Sequence, residues 1–510
     1  MSRSDWIDDE FGPVQLGDER LNARLRLLLR RKWQHPQRAL SAACQGRAEI
    51  EAASRFLDNE HVSVDKILAS HRAAIVERIR TGEHRRVLLV QDTTECDYTT
   101  HKKLQGAGPL SELHRRGFFV HDLLVVTPER VPLGVWYTFI HARDDAEHGK
   151  AAGRKDRPLE AKESFRWLEG YREACALAAQ VPECQVLCCG DRESDIYELF
   201  VEYWQRRAPG LPVAELLIRS NQDRGLEPFD DHQASAAAAC ANSLAPGGES
   251  SGAAPASPAR RIRARVAAAP VLGKVQFHVP AATRQKKVKA TSRLVHRTAR
   301  RVEQEVRTDQ IRLRPPYRRA AAGGPLPEVE LSVVEARETA PPAGEEPLVW
   351  VLLTTLPVAT LAEATEQLQL YLCRWEIELL HRVLKSGCRV EELQQRFDFR
   401  VKPAIVLYLI VAWRLLYVLR LGRECPELPC ELVFEESEWK PVVVVLKGHA
   451  ALAQKPTLGE MVLLIAQLGG YLPRKNGPPP GMKSMWIGFM RAADFALCWD
   501  QFGPRAAAPG

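Results

Sequence analysis

The chain has 510 residues, of which 45% are hydrophobic and 26% charged, with a formal net charge of +7. That length supports roughly two to four domains with substantial cores. The composition is that of an ordinary soluble protein and excludes a collagen-like, disulfide-scaffold or wholly disordered chain. The charge is unevenly placed: residues 260–319 hold 18 Lys and Arg against Glu303, Glu305 and Asp309, a local net of +15, which leaves the remainder at −8.

The start, "MSRSDWIDDEFG", is acidic and has no apolar run, so no signal peptide is expected. The next segments, "LNARLRLLLRRKW" and "EIEAASRFLDNEHVSVDKILASHRAAIVERI", carry apolar residues at helical spacing, with an Asp and Asn turn inside the second. Arg20, Arg24, Arg26, Arg30, Arg31 and Lys32 crowd the first helix, a plausible face for phosphates. Strand texture follows in "RRVLLVQDTT" (85–94), "GFFVHDLLVV" (117–126) and "LGVWYTFIHA" (133–142), which predict a three-stranded meander.

A helix over "LEAKESFRWLEGYREACALAAQ", a buried strand "CQVLCCGD" (184–191), a helix from "RESDIYELFVEYW" and a strand "AELLIRSN" come next. An Ala/Ser/Gly tract at 234–258 reads as a disordered loop. The basic block after it contains strand-like pieces such as "GKVQFHV", which implies a folded surface facing a polyanion; the alternative is a solvated, unfolded tract. A further strand, "PLVWVLLTTLPV" (347–358), precedes a helical finish. Strands and helices in this order describe a mixed sheet with helices on its faces.

The longest apolar run, "AIVLYLIVAWRLLYVL" from Ala404, is interrupted by Arg414 and is short for a membrane span, so a buried helix is expected. Cys425 and Cys430 in "CPELPC" have no second pair beside them, and the 12 cysteines read better as reduced structural residues than as a zinc site. These features place the protein in the cytoplasm, with no membrane partner.

Chemistry concentrates in carboxylates. Asp92 leaves the apolar run "VLLVQD" and Asp191 leaves "VLCCGD"; singly, a turn and a helix cap would explain them. Residues 371–385, "YLCRWEIELLHRVLK", lack Gly and Pro and predict a continuous helix of roughly four turns. On a wheel starting at Tyr371, Arg374, Glu378 and Lys385 fall at about 300°, 340° and 320°, beside Tyr371 and opposite a face of Leu372, Trp375, Ile377, Leu379, Leu380, Val383 and Leu384. Glu376 falls near 140°, among the apolar residues. The bland reading of the stripe is a solvated face with an Arg374–Glu378 ion pair. Two strand-exit Asp and a helix-borne Glu are also the hard oxygen donors that two divalent ions need for phosphoryl transfer.

The spacing Y-x2-R-x3-E-x6-K at Tyr371, Arg374, Glu378 and Lys385, with "QDTT" around Asp92 and "DRESD" around Asp191, resembles the cut-and-paste DDE transposases of the insertion-sequence-four type. "LGDERLNARL", "ASRFLDNEHVS", "RRGFFVH", "KESFRWL", "LIRSN", "PLVWVLLTTLPV" and "LGGYL" extend the likeness over nearly the whole chain. The resemblance implies an RNase H-like α/β catalytic core over 76–400 with a β-rich insertion at about 225–358. It also implies an N-terminal helical domain (1–75) that binds transposon ends and a C-terminal helical region (401–510) that dimerises.

Carried over by motif, Asp92, Asp191 and Glu378 become ligands of two Mg²⁺ ions, with Mn²⁺ as a substitute. Tyr371, Arg374 and Lys385 become phosphate contacts, and Trp350 a ring that stacks on a base flipped from the duplex. Arg24, Arg55 and Arg219 match positions that contact DNA. The implied activity is excision through a hairpin intermediate and joining of the 3′ ends to target DNA by a homodimer on paired ends. Gln34 and His35 stand where the family has a basic–aromatic pair, so the terminal sequences recognised should differ. A two-metal structure-selective nuclease without strand transfer, and a non-catalytic DNA-binding regulator, remain alternatives.

Overall fold

The computed structural model describes residues 5–112, 114–145, 160, 162–227, 260–279, 281–288, 291–316, 326–474 and 477–503; the 234–258 tract lies outside them. In chain order come α1 (Trp6–Phe11), α2 (Glu19–Gln34), α3 (Leu40–Ala43), α4 (Arg47–Asp58) and α5 (Val64–Thr81), then β1 (Arg86–Asp97), β2 (Gly108–Pro109), β3 (Arg116–Val126) and β4 (Pro132–His141). Next are α6 (Phe165–Gln180), β5 (Gln185–Gly190), α7 (Tyr197–Arg207), β6 (Glu215–Arg219), α8 (Ile262–Ala268), β7 (Gly273–Val279), β8 (Ala282–Val288), β9 (Thr291–Arg297), β10 (Arg300–Leu313), β11 (Val329–Glu338) and β12 (Val349–Thr354). The chain ends in α9 (Leu361–Leu372), α10 (Trp375–Arg382), α11 (Asp398–Glu424), α12 (Glu436–Lys447), α13 (Leu458–Leu468) and α14 (Met482–Phe502). The class is mixed α/β, and the two compact units it forms cut across the linear order.

The first unit comprises Met1–Lys155, Arg172–Val186 and Cys373–Gly510. At α2 and α13 short polar side chains replace missing backbone partners: Asp18 accepts from Arg20 N–H at 2.8 Å, and Thr457 and Glu460 form a reciprocal capping box. β1, β3 and β4 form the expected antiparallel meander, and β3 is buried along nearly its whole length. The apolar run from Ala404 lies in α11, which packs against β4, α2, α4, α5 and α13 and is buried as a core helix. Arg414, which interrupts that run, donates to the Val433 carbonyl at 3.0 Å.

Two buried polar clusters tie the N-terminal helices to α11. Glu10 on α1 accepts from both His71 and Arg78 on α5, while His71 Nε2 accepts from Val135 N–H at 2.9 Å. His71 also meets Trp413 edge-on at 4.7 Å, and Arg78 lies 4.8 Å over the same indole. Burial alone would raise the Glu10 carboxyl, but the charge and hydrogen bonds of Arg78, with the hydrogen bond of His71, outweigh it and hold it at about 2. Lys32 is fully buried and donates to the carbonyls of Pro36, Arg38 and Cys388, 3.6 Å over the Tyr408 ring. Burial pushes its ammonium down to about 7.

The second unit comprises Asp156–Tyr171 and Leu187–Leu372. β5 runs parallel to β6, and from β6 the ladder continues antiparallel through β12, β11, β10 and β7. β8 and β9 form a separate hairpin. The basic block is therefore folded where it is described, in α8 and β7–β10. Much of its charge is used internally: Arg265 pairs with Asp309, Lys274 with Glu303, Arg300 with Glu338 and Glu345, Arg312 with Glu330, and Arg314 with Glu227.

Three local expectations need correction. Residues 371–385 are not one helix: α9 ends at Leu372, Cys373 and Arg374 form a turn, and α10 runs into a π-turn over Val383–Gly387. Arg374 keeps a helical backbone (φ −56°, ψ −27°), so the break shifts phase without reversing the chain. Trp375, assigned to the core face at its edge near 40° on the wheel, is 45% exposed. Asp92 does not stand at a strand exit, because β1 continues through the β-branched Thr93 and Thr94 to Asp97, paired with Gly117–His121 of β3.

Candidate active site

In the first unit the β1–β3 ladder sets Asp92 directly opposite Asp122, so both side chains leave the same face of the sheet. Two carboxylates so placed repel each other unless each has its own counter-charge. The counter-charge of Asp92 and the hydrogen-bond donor to Asp122 both come from the helical segment after Cys373. Arg374 donates from Nη1 to Asp92 Oδ2 at 3.1 Å and from Nη2 to Glu378, one turn further along α10. His381 Nε2 donates to Asp122 Oδ2 at 3.0 Å. Asp92 also accepts from Thr93 N–H at 2.8 Å.

The guanidinium is 9% exposed, against 20% for the Asp92 side chain and 38% for Glu378, so it lies beneath two carboxylates that reach toward solvent. A cation already bridges these oxygens, and hard carboxylate donors facing solvent fit a divalent ion of the Mg²⁺ class. Among the described residues no three His, Cys, Asp or Glu side chains are gathered closely enough to hold a metal ion.

Glu376 serves another purpose, as its place on the apolar side of the wheel suggested. Its side chain is 1% exposed and accepts from Arg420 Nε on α11 at 2.7 Å. Burial raises its carboxyl, and the Arg420 charge only partly offsets that. Lys385 sits in the π-turn, 3.9 Å from Glu391. π-Turns recur at functional sites. This one ends on Gly387, where an added Cβ would come 3.1 Å from Trp486 and 3.2 Å from Val383.

The second unit holds Asp191, Arg219, Trp350 and Tyr371. Asp191 caps the single turn Arg192–Ser194, accepting from Glu193 N–H at 2.8 Å, and Ser194 Oγ donates back to the Asp191 carbonyl at 2.6 Å. Gly190 is required immediately before it, because a Cβ there would lie 2.2 Å from Ser194 Oγ. Asp195 closes the turn: buried, it accepts from the backbone of Asn221 and Gln222 and from Arg224, fixing the chain just beyond Arg219. Arg219 ends β6 opposite Leu352 and is half-buried. Trp350 is half-buried between Phe277, stacked at 5.9 Å, and Tyr371, edge-on at 6.2 Å.

Arg24 is half-buried on α2 and Arg55 exposed on α4. The structure thus brings Asp92, Arg374 and Glu378 together in one unit, and Trp350 and Tyr371 together in the other. Sequence reasoning missed Asp122, His381 and Asp195. His381 was within reach: seven residues past Arg374, it lies about 20° from it on the wheel, at the edge of the polar stripe. Asp122 gave little signal, since it stands alone in the apolar run of β3.

Two family models match the chain. Residues 3–62 match Transposase DNA-binding, and residues 410–499 match Transposase Tn5 dimerisation domain. The first covers α1, α2, α3 and α4; the second begins within α11 and ends within α14. The two matches support a Tn5-like transposase family and indicate a transposase that binds DNA and forms a homodimer.

Proposed function

We propose that the protein is a cut-and-paste DNA transposase of the DDE type, with Asp92, Asp191 and Glu378 as its metal-binding carboxylates. The observation that carries this is the shared hold of Arg374 on Asp92 and Glu378, which joins a strand carboxylate to a helix carboxylate around one cation position. The two family matches supply the context of DNA binding and dimerisation. Asp191 enters through the "DRESD" likeness, and Tyr371, Arg374, Glu378 and Lys385 through the spacing of the YREK signature.

Two Mg²⁺ ions, or Mn²⁺ in their place, would stabilise charge on the scissile phosphate and lower the pKa of the attacking hydroxyl. The chain's own contribution is positional. Asp92 and Glu378 would present the oxygen donors, and Arg374, held between them, would face a phosphate flanking the break. Lys385 and Tyr371 extend that hold along the strand. Trp350, already packed between two rings, offers a face on which a displaced base stacks for about 1–3 kcal/mol. Excision proceeds through a hairpin on each end, and the freed 3′ ends join target DNA within a paired-end complex of two subunits, on an RNase H-like core.

The test is strand transfer in Mg²⁺ with the element's own ends, comparing the unchanged protein with Asp92→Asn, Asp191→Asn and Glu378→Gln. Loss of joined product in all three with DNA binding kept is the expected result. Cleavage without joining in the unchanged protein would replace the transposase by a nuclease, and a denaturing gel without hairpin product would remove that step.

A further inference from the structure

His381 and Asp122 have no part in the chemistry described above, yet they make a buried contact between the helix that bears Glu378 and the strand beside Asp92. The Asp122 side chain is fully buried, and its Oδ2 meets His381 while its Oδ1 has no hydrogen-bond partner among the described residues. A buried carboxylate with a single hydrogen bond is a poor device for stability, because its desolvation cost exceeds what one contact returns. Apolar residues of similar volume would hold the same two elements together at least as well.

What the pair does supply is geometry. Arg374 and His381 are seven residues apart on one helical segment, on the same face, and they reach the two members of a single cross-strand pair, Asp92 and Asp122. The opposite face of α10 is held by the buried Glu376–Arg420 pair, Ile377 and Leu380; on the face toward the sheet, Arg374 alone is a single point of attachment. Two anchors fix both its rotation and its register along β1 and β3, and Glu378 lies between them.

We propose that His381 and Asp122 form a positioning pair that holds the Glu378 carboxylate at the distance from Asp92 that a divalent cation requires. This rests on the reading of Asp92 and Glu378 as metal ligands. Groups that orient metal ligands from behind typically change metal affinity 10–100-fold, by roughly that factor, when removed. Neither residue touches the cation or DNA in this role.

The experiment is calorimetric titration of the full chain with Mn²⁺, alongside thermal unfolding and metal-free binding to a DNA duplex. The double variant Asp122→Leu/His381→Leu is expected to unfold at the same temperature or higher and to bind duplex unchanged. Its Mn²⁺ dissociation constant should rise roughly 10–100-fold. Asp122→Asn, which keeps an acceptor for His381, should stay within about threefold of the unchanged protein, a retention that loss of packing does not produce. If the Leu pair does not fold, His381→Gln carries the same titration. Unaltered Mn²⁺ affinity in the Leu pair or in His381→Gln, while Glu378→Gln weakens it, overturns the positioning role alone. Unaltered affinity in Glu378→Gln overturns the ligand assignment and the positioning role with it.

Discussion

Arg374 holds Asp92 and Glu378 at once, donating to the first at 3.1 Å and to the second through its other terminal nitrogen. Removing the guanidinium leaves two carboxylates facing each other with no counter-charge. In chelator, Arg374→Ala should lose roughly 1–3 kcal/mol in urea unfolding. Mg²⁺ should then stabilise the variant more than the unchanged protein, because a cation binds the freed oxygens only in the folded state. A gap of equal size with and without Mg²⁺ would remove the cation position from the account.

Glu376 and Glu378 are two residues apart and should fail in opposite ways. Glu376→Ala removes both acceptors of the Arg420 guanidinium and should cost about 3 kcal/mol, the range for breaking a buried pair. Its cleavage activity per folded molecule should be kept. Glu378→Gln, on a side chain 38% exposed, should unfold within about 1 kcal/mol of the unchanged protein and lose cleavage. Urea curves and a strand-cleavage assay on the same preparations decide it; the same defect in both variants would contradict the division of roles.

Much of this was legible in the amino-acid order, and what was not has identifiable causes. The meander followed from runs such as "VLLV" and "FFVHDLLVV", whose bulk suits strands buried on both faces. The wheel separated Glu378 from Glu376 correctly even though the helix it assumed is broken at Cys373, because Arg374 retains a helical backbone and the phase from Arg374 to His381 survives. The break itself has no Gly or Pro to announce it. Asp122 was hidden because a charged residue inside an apolar run looks like a fault until the partner from 259 residues away is in place. The ion pairs within residues 260–319 were hidden for a related reason: acids of β11 and the following turn are distant in sequence from Arg300 and adjacent to it in the fold.

The Glu10 carboxylate should set part of the acid limit of the fold. Its folded pKa, about 2, lies below the unfolded value of 4.5, so its stabilisation is complete above about pH 4.5 and is lost as pH falls toward 2. The shift corresponds to a few kcal/mol at neutral pH, on the order of 1.4 kcal/mol per unit. Glu10→Gln should therefore be less stable at pH 7 and lose less between pH 4.5 and 2, by urea midpoints across that window. Parallel curves for the two proteins would place the acid sensitivity elsewhere.

Arg55 is exposed on α4 within the segment that matches Transposase DNA-binding. On the proposed reading this guanidinium meets a DNA phosphate, and such a contact releases a counterion. Arg55→Ala should leave the unfolding temperature unchanged, weaken binding to duplexes of any sequence, and lower the slope of log affinity against log salt by about one. Arg24 on α2, half-buried, should show the same loss of slope with a small added cost in stability. Fluorescence anisotropy at several salt concentrations separates the two quantities. An unchanged slope in both variants would move the DNA-binding face away from α2 and α4, whereas loss confined to one duplex sequence would make that arginine a reader of bases.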